Sequence, residues 1–230
     1  LYGHRIINDL QEAGVDFYYD IDPAGTERHV NLMNAADNRI SMFITQSSIH
    51  PSFNQVMVEQ MLANSGMLVL NIIAYCKNFI PLLKGYTKPI WTDLHDYNDK
   101  NPYHEPFIDA ATTIFLSSDN LTDYKHTMQE LISRGKQLVI CTHGGAGSTA
   151  LSATGEWIEE PALSGFRIVD TNGAGDNYFA GFLYAWLKGR SIRECMRYGT
   201  ICGAFCITSA KLVAEELSDS LLEQAYRQYY

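Results

Sequence analysis

The chain has 230 residues, of which 46% are hydrophobic and 19% charged, a balance typical of globular proteins that excludes a disordered or fibrous chain. Its formal net charge of −9, from 17 Lys and Arg against 26 Asp and Glu, argues against a nucleic-acid partner, which would need a basic surface. The longest apolar run, Met67 to Cys76, is about half the roughly 20 residues that cross a bilayer, so no membrane partner is expected.

The first part of the chain contains a predicted helix followed by a small β element. Apolar residues at helical spacing predict a helix over Gly3 to Ala13, and Gly14 is a suitable residue to end it. Turn-forming residues then separate three predicted strands, Val15 to Asp20, Arg28 to Asn34 and Arg39 to Thr45.

From Pro51 onward the pattern alternates between helices and short, continuously apolar strands. This alternation is typical of a parallel sheet that is covered on both faces. The sequence therefore predicts an α/β fold, a doubly wound, mainly parallel sheet with helices on both faces, in a single domain. The predicted strands are Met67–Leu70, Pro89–Asp93, Thr113–Leu116, Gln137–Thr142, and a hairpin of Ser148–Ser152 with Trp157–Glu160; the predicted helices are Phe53–Ala63, Asn78–Leu83, Asp123–Arg134, Ala174–Lys188, Ser191–Thr208 and Ser218–Tyr229.

The five cysteines lie in apolar surroundings and form no Cys-x-x-Cys pair. An odd number of isolated cysteines predicts buried, reduced thiols. Reduced thiols are typical of a cytoplasmic protein, so that location is expected.

The most informative segment is a turn of small residues, Asp170-Thr-Asn-Gly-Ala-Gly-Asp176, which opens directly into an apolar helix. The amides of Gly173, Ala174 and Gly175 can approach an anion closely at the positive end of the helix dipole. Asp176 follows in the first helical turn, where its carboxylate could accept a proton from an attacking hydroxyl. The alternative is that Asp176 only caps the helix and the glycines only form a tight turn.

The longer pattern, which continues to Ala180 and Gly181, resembles the C-terminal signature of the ribokinase-like (PfkB) carbohydrate kinase family. The resemblance implies an ATP-dependent kinase that phosphorylates a hydroxyl of a small sugar or sugar-like substrate, with Mg²⁺ as cofactor. It implies Asp176 as the catalytic base and Gly173 to Gly175 as the anion hole. Family members often bind a monovalent cation near the first Asp of the motif, which makes Asp170 a weaker candidate ligand for K⁺.

A second match lies upstream, where Thr142-His-Gly-Gly-Ala-Gly147 follows a predicted strand. It fits the Thr-x-Gly-x-x-Gly that the family places beside the nucleotide, and the resemblance implies nucleotide binding by Thr142, Gly144, Gly145 and Gly147. The same glycines could belong to a dinucleotide-binding fingerprint, but that interpretation requires a helix next, and the sequence predicts a strand.

The chain departs from the family pattern in two places. After the strand Thr113–Leu116, where the family has Asn-x-x-Glu near Mg²⁺ and phosphate, this chain reads Ser117-Ser-Asp-Asn-Leu-Thr-Asp123. Either Ser118 replaces the Asn or Asn120 begins a shifted equivalent, and both are candidate nucleotide-binding residues. Helix capping by Ser118 or Asp119 is the alternative. The metal-ligating residues therefore stay unknown.

The second departure follows the predicted strand Pro89–Asp93. The family often has Asp-x-Asn-x-Arg there, whereas this chain continues from Asp93 with Leu-His-Asp. Only Asp93 carries over. His95 and His104 flank the polar stretch from Asp93 to Glu105 without a metal-ligand spacing, so a solvated loop is expected there.

The resemblance covers residues 1–230 as one ribokinase-like domain but lacks the family's first strands, so an N-terminal part is expected to be missing. Residues of about 15–45 resemble the family's β lid, which can pair two subunits, so a homodimer through the lid is an option. Three alternatives stay open: a nucleoside kinase of the same superfamily, a non-catalytic relative that senses sugar or nucleotide, and an inactive fragment.

Overall fold

The structure is a computed structural model that describes residues 2–33, 39–214 and 216–230. The chain divides into two compact units. The first comprises Leu1–Leu68 and Ile73–Thr87, and the second comprises Val69–Ile72 and Lys88–Tyr230. A single domain over the whole chain stays a prediction.

The first unit consists of two helices, a β hairpin and a 3₁₀ segment. Its elements are α1 (Tyr2–Glu12), β1 (Arg28–Met33), β2 (Arg39–Thr45), α2 (Gln55–Asn64) and the 3₁₀ helix Ala74–Leu83. The strands β1 and β2 pair antiparallel. Asn54 caps α2, because its side chain accepts a hydrogen bond from the Met57 amide.

The predicted helix at the start of the chain is confirmed, whereas the first predicted strand is wrong. Gly14 ends α1 with a φ of 69°, the left-handed conformation that glycine adopts without strain. Val15 to Asp20 forms no strand. In this segment the Tyr18 hydroxyl donates to Asp20 and accepts the amide of Asn54 at the start of α2, so side-chain contacts replace a strand ladder.

The second unit is built on a six-stranded sheet in the order β3-β4-β5-β6-β7-β8. Strands β4, β5 and β6 run parallel, and β7 and β8 continue the sheet antiparallel. The predicted hairpin of Ser148–Ser152 and Trp157–Glu160 is confirmed with both bounds unchanged. The strands are β3 (Leu68–Val69), β4 (Ile90–Asp93), β5 (Thr113–Ser117), β6 (Leu138–Thr142), β7 (Ser148–Ser152) and β8 (Trp157–Glu160).

Five helices accompany this sheet and complete the α/β fold, so the predicted fold class is confirmed. Phe182 of α5 is fully buried, and its ring packs edge-on against Trp91 of β4 and Phe115 of β5. Together these side chains form the centre of the core. The helices are α3 (Glu105–Ala110), α4 (Tyr124–Ser133), α5 (Ala174–Leu187), α6 (Ile192–Cys206) and α7 (Asp219–Tyr229), with a 3₁₀ turn at Pro102–His104.

The stretch after β4 is in part the solvated loop that its composition predicts, because His95, Asp96 and residues 98–102 are exposed, but three of its side chains are buried. Leu94 and Tyr97 are buried, and His104 is 9% exposed between the edge-on rings of Tyr97 and Tyr103. The short helix α3 follows directly and is too brief to show helical periodicity. Lys136 reaches it from the start of β6 and donates to carbonyl oxygens at its C-terminal end.

The five cysteines are unpaired, and all but the half-buried Cys76 are buried, as predicted for reduced thiols. Burial raises the pKa of Cys76 to about 11 and that of Cys141 to about 12. Within the described ranges, no helix is both long enough and apolar enough to cross a bilayer.

Candidate active site

The turn before α5 requires glycine at position 173. Gly173 has a φ of 81°, and a Cβ atom there would lie 2.7 Å from the Leu212 carbonyl oxygen. Ala174 donates its amide to Thr171 O at 3.2 Å, which closes the turn. Among the described residues no side chain caps this helix end. The next amides, of the exposed Gly175 and Asp176, have no acceptor within the helix and so can bind an anion.

Asn177 ties this turn to the segment after α6, a role that the sequence analysis missed. Its Nδ2 donates to Gly173 O at 2.8 Å and to Leu212 O at 2.7 Å, and it lies 3.3 Å from the Cys206 sulfur. The residue is 7% exposed. Because its amide group bonds both backbones, Asn177 holds the start of α5 in place.

Asp170 occupies the beginning of the same turn. Its Oδ1 accepts hydrogen bonds from the Asn172 amide at 2.9 Å and from Asn172 Nδ2 at 2.8 Å. The Asp170 amide donates to Ile207 O at 3.3 Å. These contacts give Asp170 a structural role in shaping the turn.

Asp176 is exposed and lies beside residues from the end of β4. One ligand atom each of Asp93, His95 and Asp176 fall within 4.8 Å of one another. Burial, and secondarily the charge of Asp176, raises the pKa of Asp93, while His95 lowers it. The structure thus joins the predicted base to the strand-end Asp93 and to His95, which had been assigned to solvent.

The Thr142–Gly147 loop follows β6 and leads into β7 without an intervening α-helix, which removes the dinucleotide interpretation. Gly147 has a φ of 106°, and a Cβ atom there would lie 2.2 Å from Glu160 O. The His143 amide donates to Gly147 O at 2.8 Å, so the loop closes on itself. Gly144 and Gly145 at its tip are exposed, which leaves their backbone accessible to a ligand.

Ser118 lies against this loop because β5 and β6 are neighbouring parallel strands. Its amide donates to Thr142 O at 2.9 Å, and its Oγ lies 2.9 Å from His143 Nδ1. His143 Nε2 lies 2.9 Å from Thr149 Oγ1 and the ring packs on Tyr124. Burial lowers the pKa of His143. His143 was not among the predicted site residues, although it lies inside the Thr142–Gly147 motif.

The capping interpretation of Ser118 or Asp119 is wrong, because α4 begins later. Asp123 is the cap, and its Oδ1 accepts the His126 amide at 3.0 Å. Asn120 is exposed, and its Nδ2 donates to Asp96 O at 3.1 Å. Asn120 is therefore held in the loop after β5 by the loop after β4.

The ends of three parallel strands thus meet at one edge of the sheet. Asp93 ends β4, Ser117 ends β5 and Thr142 ends β6. In open α/β sheets the carboxyl ends of the strands are where ligands bind. The structure brings Asp93, His95 and Asp176 together in one group, and Ser118 and the Thr142–Gly147 loop together in another.

Known proteins resemble this chain in sequence over most of its length. Residues 108–217 match the model of the pfkB family carbohydrate kinase. Acarbose 7(IV)-phosphotransferase of Actinoplanes sp. is 30% identical over 189 residues, which are 80% of this chain and 63% of that protein. Fructoselysine 6-kinase of Escherichia coli is 25% identical over 205 residues, 88% of this chain and 77% of that enzyme. The chain thus spans less than two thirds of the first of these relatives.

Solved structures resemble it in fold. A microbiome-derived acarbose kinase superposes with a TM-score of 0.84 at 24% identity, over 97% of this chain and 76% of the other. The ribokinase of Thermotoga maritima gives 0.78 at 14% identity, over 99% and 77%. The Burkholderia thailandensis nucleoside kinase in complex with inosine gives 0.77 at 16% identity, over 98% and 76%. At these identities the likeness establishes the fold and leaves the acceptor open.

Proposed function

We propose, from the premise that this chain belongs to the pfkB family of carbohydrate kinases, that it transfers the γ-phosphoryl group of ATP to a hydroxyl of a small sugar or sugar-like acceptor. The observation that carries the proposal is the Asp170–Asp176 turn, which lies inside the matched residues 108–217 and opens the uncapped N-terminus of α5. The named substrates of the relatives, acarbose and fructoselysine, support a carbohydrate-like acceptor.

Asp176 is proposed as the general base. Its carboxylate takes the proton of the acceptor hydroxyl as the acceptor oxygen bonds to the γ-phosphorus and the bond from that phosphorus to the leaving oxygen of ADP breaks. The exposure of Asp176 supports this role, because an acceptor can reach it. The backbone of Gly173 and Gly175 is proposed to bind the transferred phosphoryl group, where fixed donors stabilise charge that develops during transfer. The amide of Ala174, which is also expected in this anion hole, already donates to Thr171 O at 3.2 Å.

The nucleotide is proposed to lie against the Thr142–Gly147 loop. The accessible backbone at Gly144 and Gly145 supports this, and so does Gly147, whose lack of a side chain lets the loop approach β8. Ser118 and Asn120 are proposed to contact the same ligand from the end of β5.

Both candidates in the altered Asn-x-x-Glu region already have contacts within the protein, and the residues that would organise Mg²⁺ stay unknown. Asp123 Oδ1 accepts the His126 amide at 3.0 Å, and Ser118 Oγ lies 2.9 Å from His143 Nδ1. The family implies ATP and Mg²⁺ together, and the ion would enter with the phosphates, which supply oxygen ligands of the kind it prefers. We assign no step to it. For K⁺, Asp170 stays the candidate, with one carboxylate oxygen engaged by Asn172.

Three wider expectations stay predictions. They are a lid within residues 15–45 and a homodimer through that lid, both implied by the resemblance, and a cytoplasmic location, expected from the reduced thiols. In the first unit the hairpin of β1 and β2 supplies the strands that a lid would need.

The test is ATP consumption with Mg²⁺ against pentoses, hexoses, sugar phosphates, oligosaccharides and nucleosides, with calorimetric ATP binding measured in parallel. We expect Asp176→Asn to lower turnover by ~10²–10⁴-fold, the usual contribution of a general base, and to leave ATP binding in place. Asp219→Asn is the matched control, because Asp219 also lies in the first turn of a helix and is exposed.

Each outcome separates two interpretations. Turnover that survives in Asp176→Asn contradicts the assignment of the base. If a nucleoside, and no sugar, saturates the enzyme, the chain is a nucleoside kinase and the carbohydrate acceptor is wrong. ATP binding without turnover of any acceptor contradicts the kinase and favours a non-catalytic relative.

A further inference from the structure

The end of β4 holds a carboxylate in a fixed orientation. The Asp93 side chain is 19% exposed. Its Oδ1 accepts the His95 amide at 2.8 Å, and its Oδ2 lies 3.6 Å from His95 Nδ1. The backbone hydrogen bond holds one carboxylate oxygen, and the His95 ring lies beside the other.

His95 is held in an uncommon conformation that turns its ring toward Asp93. Its φ of 51° lies in the left-handed region, which non-glycine residues seldom adopt. Neighbouring contacts fix the turn: Leu94 is fully buried and donates its amide to Phe115 O at 2.8 Å, and the Ser117 amide donates to His95 O at 2.9 Å. The backbone on both sides is thus fastened to β5, while the imidazole stays about half exposed.

Asp176 completes a set of three ligand atoms within 4.8 Å of one another. A metal ion at about 2.0–2.2 Å from each ligand would draw the three atoms to roughly 3–3.5 Å apart. Because His95 and Asp176 are exposed at their tips, small side-chain rotations can make that adjustment. A cation would also relieve the repulsion between the two carboxylates, whose ligand atoms lie within 4.8 Å of each other.

The chemistry of the ligands indicates the class of ion. Two carboxylates and an imidazole give two oxygens and one nitrogen with a charge of −2. Mg²⁺ prefers an all-oxygen environment, whereas an imidazole suits Zn²⁺, Ni²⁺ and Fe²⁺, and the two carboxylates also suit Mn²⁺. His95 therefore favours a transition metal.

We propose that Asp93, His95 and Asp176 bind a divalent transition-metal ion in the protein free of nucleotide. The ion would occupy the carboxylate assigned above as the base and so compete with an acceptor for it. This competition rests on the proposed function, whereas the binding itself does not.

Mn²⁺ is the probe, because it is paramagnetic and the buried cysteine thiols, as soft ligands, do not favour it. Untagged protein without ATP or acceptor is titrated with Mn²⁺, and free ion is measured by electron paramagnetic resonance. We expect one ion to bind, with affinity reduced about tenfold or more in His95→Gly and in Asp93→Asn. Pulsed resonance should detect a coordinated nitrogen in the wild type and none in His95→Gly.

His95→Gly removes the ligand and suits the positive φ, so this variant should keep its fold, and circular dichroism verifies it. His126→Ala, which removes an exposed histidine elsewhere in the second unit, is the matched control and should bind Mn²⁺ like the wild type. Equal affinity in His95→Gly and wild type would overturn the site, and so would no binding up to millimolar Mn²⁺. If the chain binds Mn²⁺ but turns over no ATP, the metal site is supported and only the proposed kinase activity is contradicted.

Discussion

The two units of this chain differ in how far their apolar side chains are buried. In the second unit, β4, β5, β6, α5 and α6 carry side chains that solvent does not reach, among them Trp91, Phe182 and Ile201. In the first unit, Leu83 is the one buried side chain among those described there. Its hairpin leaves apolar side chains exposed on both strands: Val30, Leu32, Met42, Phe43 and Ile44.

This difference locates the stability of the chain. Burial of apolar area contributes ~25 cal/mol per Å², and a side chain that stays in solvent contributes little of it. Burial of apolar side chains therefore stabilises the second unit more than the first. The second unit also contains the three strand ends at which the proposed site lies. The hairpin of the first unit is held by the pairing of its two strands, so substitutions on its surface should cost little.

The largest expected effect comes from emptying the core of the second unit. Phe182→Ala removes a fully buried ring beside Trp91 and Phe115, and should lower the free energy of unfolding by ~3–5 kcal/mol. Phe43→Ala removes the same ring from the first unit, where it is 57% exposed, and should cost about 0.5 kcal/mol. Urea unfolding followed by far-ultraviolet circular dichroism measures both.

If Phe43→Ala lowered the free energy of unfolding nearly as much as Phe182→Ala does, the contrast between the two units would be wrong. That result would mean that the exposed hairpin is covered in solution. Tryptophan fluorescence sharpens the result. Trp91, Trp157 and Trp186 all lie in the second unit, so this signal reports that unit alone.

The next largest effect is expected from replacing glycines that have a positive φ, where steric crowding and backbone strain can be measured separately. Gly147→Ala places a Cβ atom 2.2 Å from Glu160 O at a positive φ, and should cost ~2–4 kcal/mol through crowding and strain together. Gly25 of the first unit also has a positive φ, 88°, but faces open space. Gly25→Ala should therefore cost about 1 kcal/mol, from strain alone. Thermal unfolding of both variants gives the two costs, and equal values would contradict the crowding at Gly147.

The smallest effect concerns pH and His143. Because burial lowers the pKa of His143, the unfolded chain binds a proton below pH 6.5 more readily than the folded one does. The contribution of His143 to stability is thus present above pH 6.5 and is lost as the pH falls toward its lower folded pKa. Replacing it by Gln, which can still bond Ser118 and Thr149, should flatten the fall in unfolding midpoint between pH 7 and 5.

The same titration of Phe43→Ala controls for that measurement, because this substitution changes no ionisable group. A slope in His143→Gln equal to the wild-type slope would show that other groups cause the acid sensitivity.

Much of the fold could be predicted because the second unit is specified by local pattern. Continuous apolar runs located β4, β5 and β6 to within a residue or two, and the hairpin of β7 and β8 was predicted with its bounds unchanged. The errors arose where tertiary contacts decide. Val15 to Asp20 reads like a strand but pairs with no strand in the part of the chain that the structure describes. Helix α3 is six residues long and is held by Lys136 from a distant part of the chain.

The proposed site was predicted in its glycines and in Asp176, because turn and helix signals are local. His95 was missed because only its left-handed backbone turns the ring toward Asp93, and nothing in the polar composition of that stretch indicates such a turn. His143 was missed because its partners, Ser118 and Thr149, come from neighbouring strands. Asn177 was missed because the sequence does not indicate that this polar residue of an apolar helix bonds to the backbone of the distant Leu212.

The thiols described above make this chain convenient for site-specific labelling. Maleimides react with thiolates, and with pKa values of about 12 at Cys141 and Cys195 almost no thiolate exists at neutral pH. The native background of reaction should therefore be slow. A cysteine introduced at the exposed position 43, in place of Phe43, should therefore be labelled with little reaction elsewhere. With a second cysteine in place of the exposed Asp219, energy transfer between two fluorophores would report the distance between the two units as ligands are added.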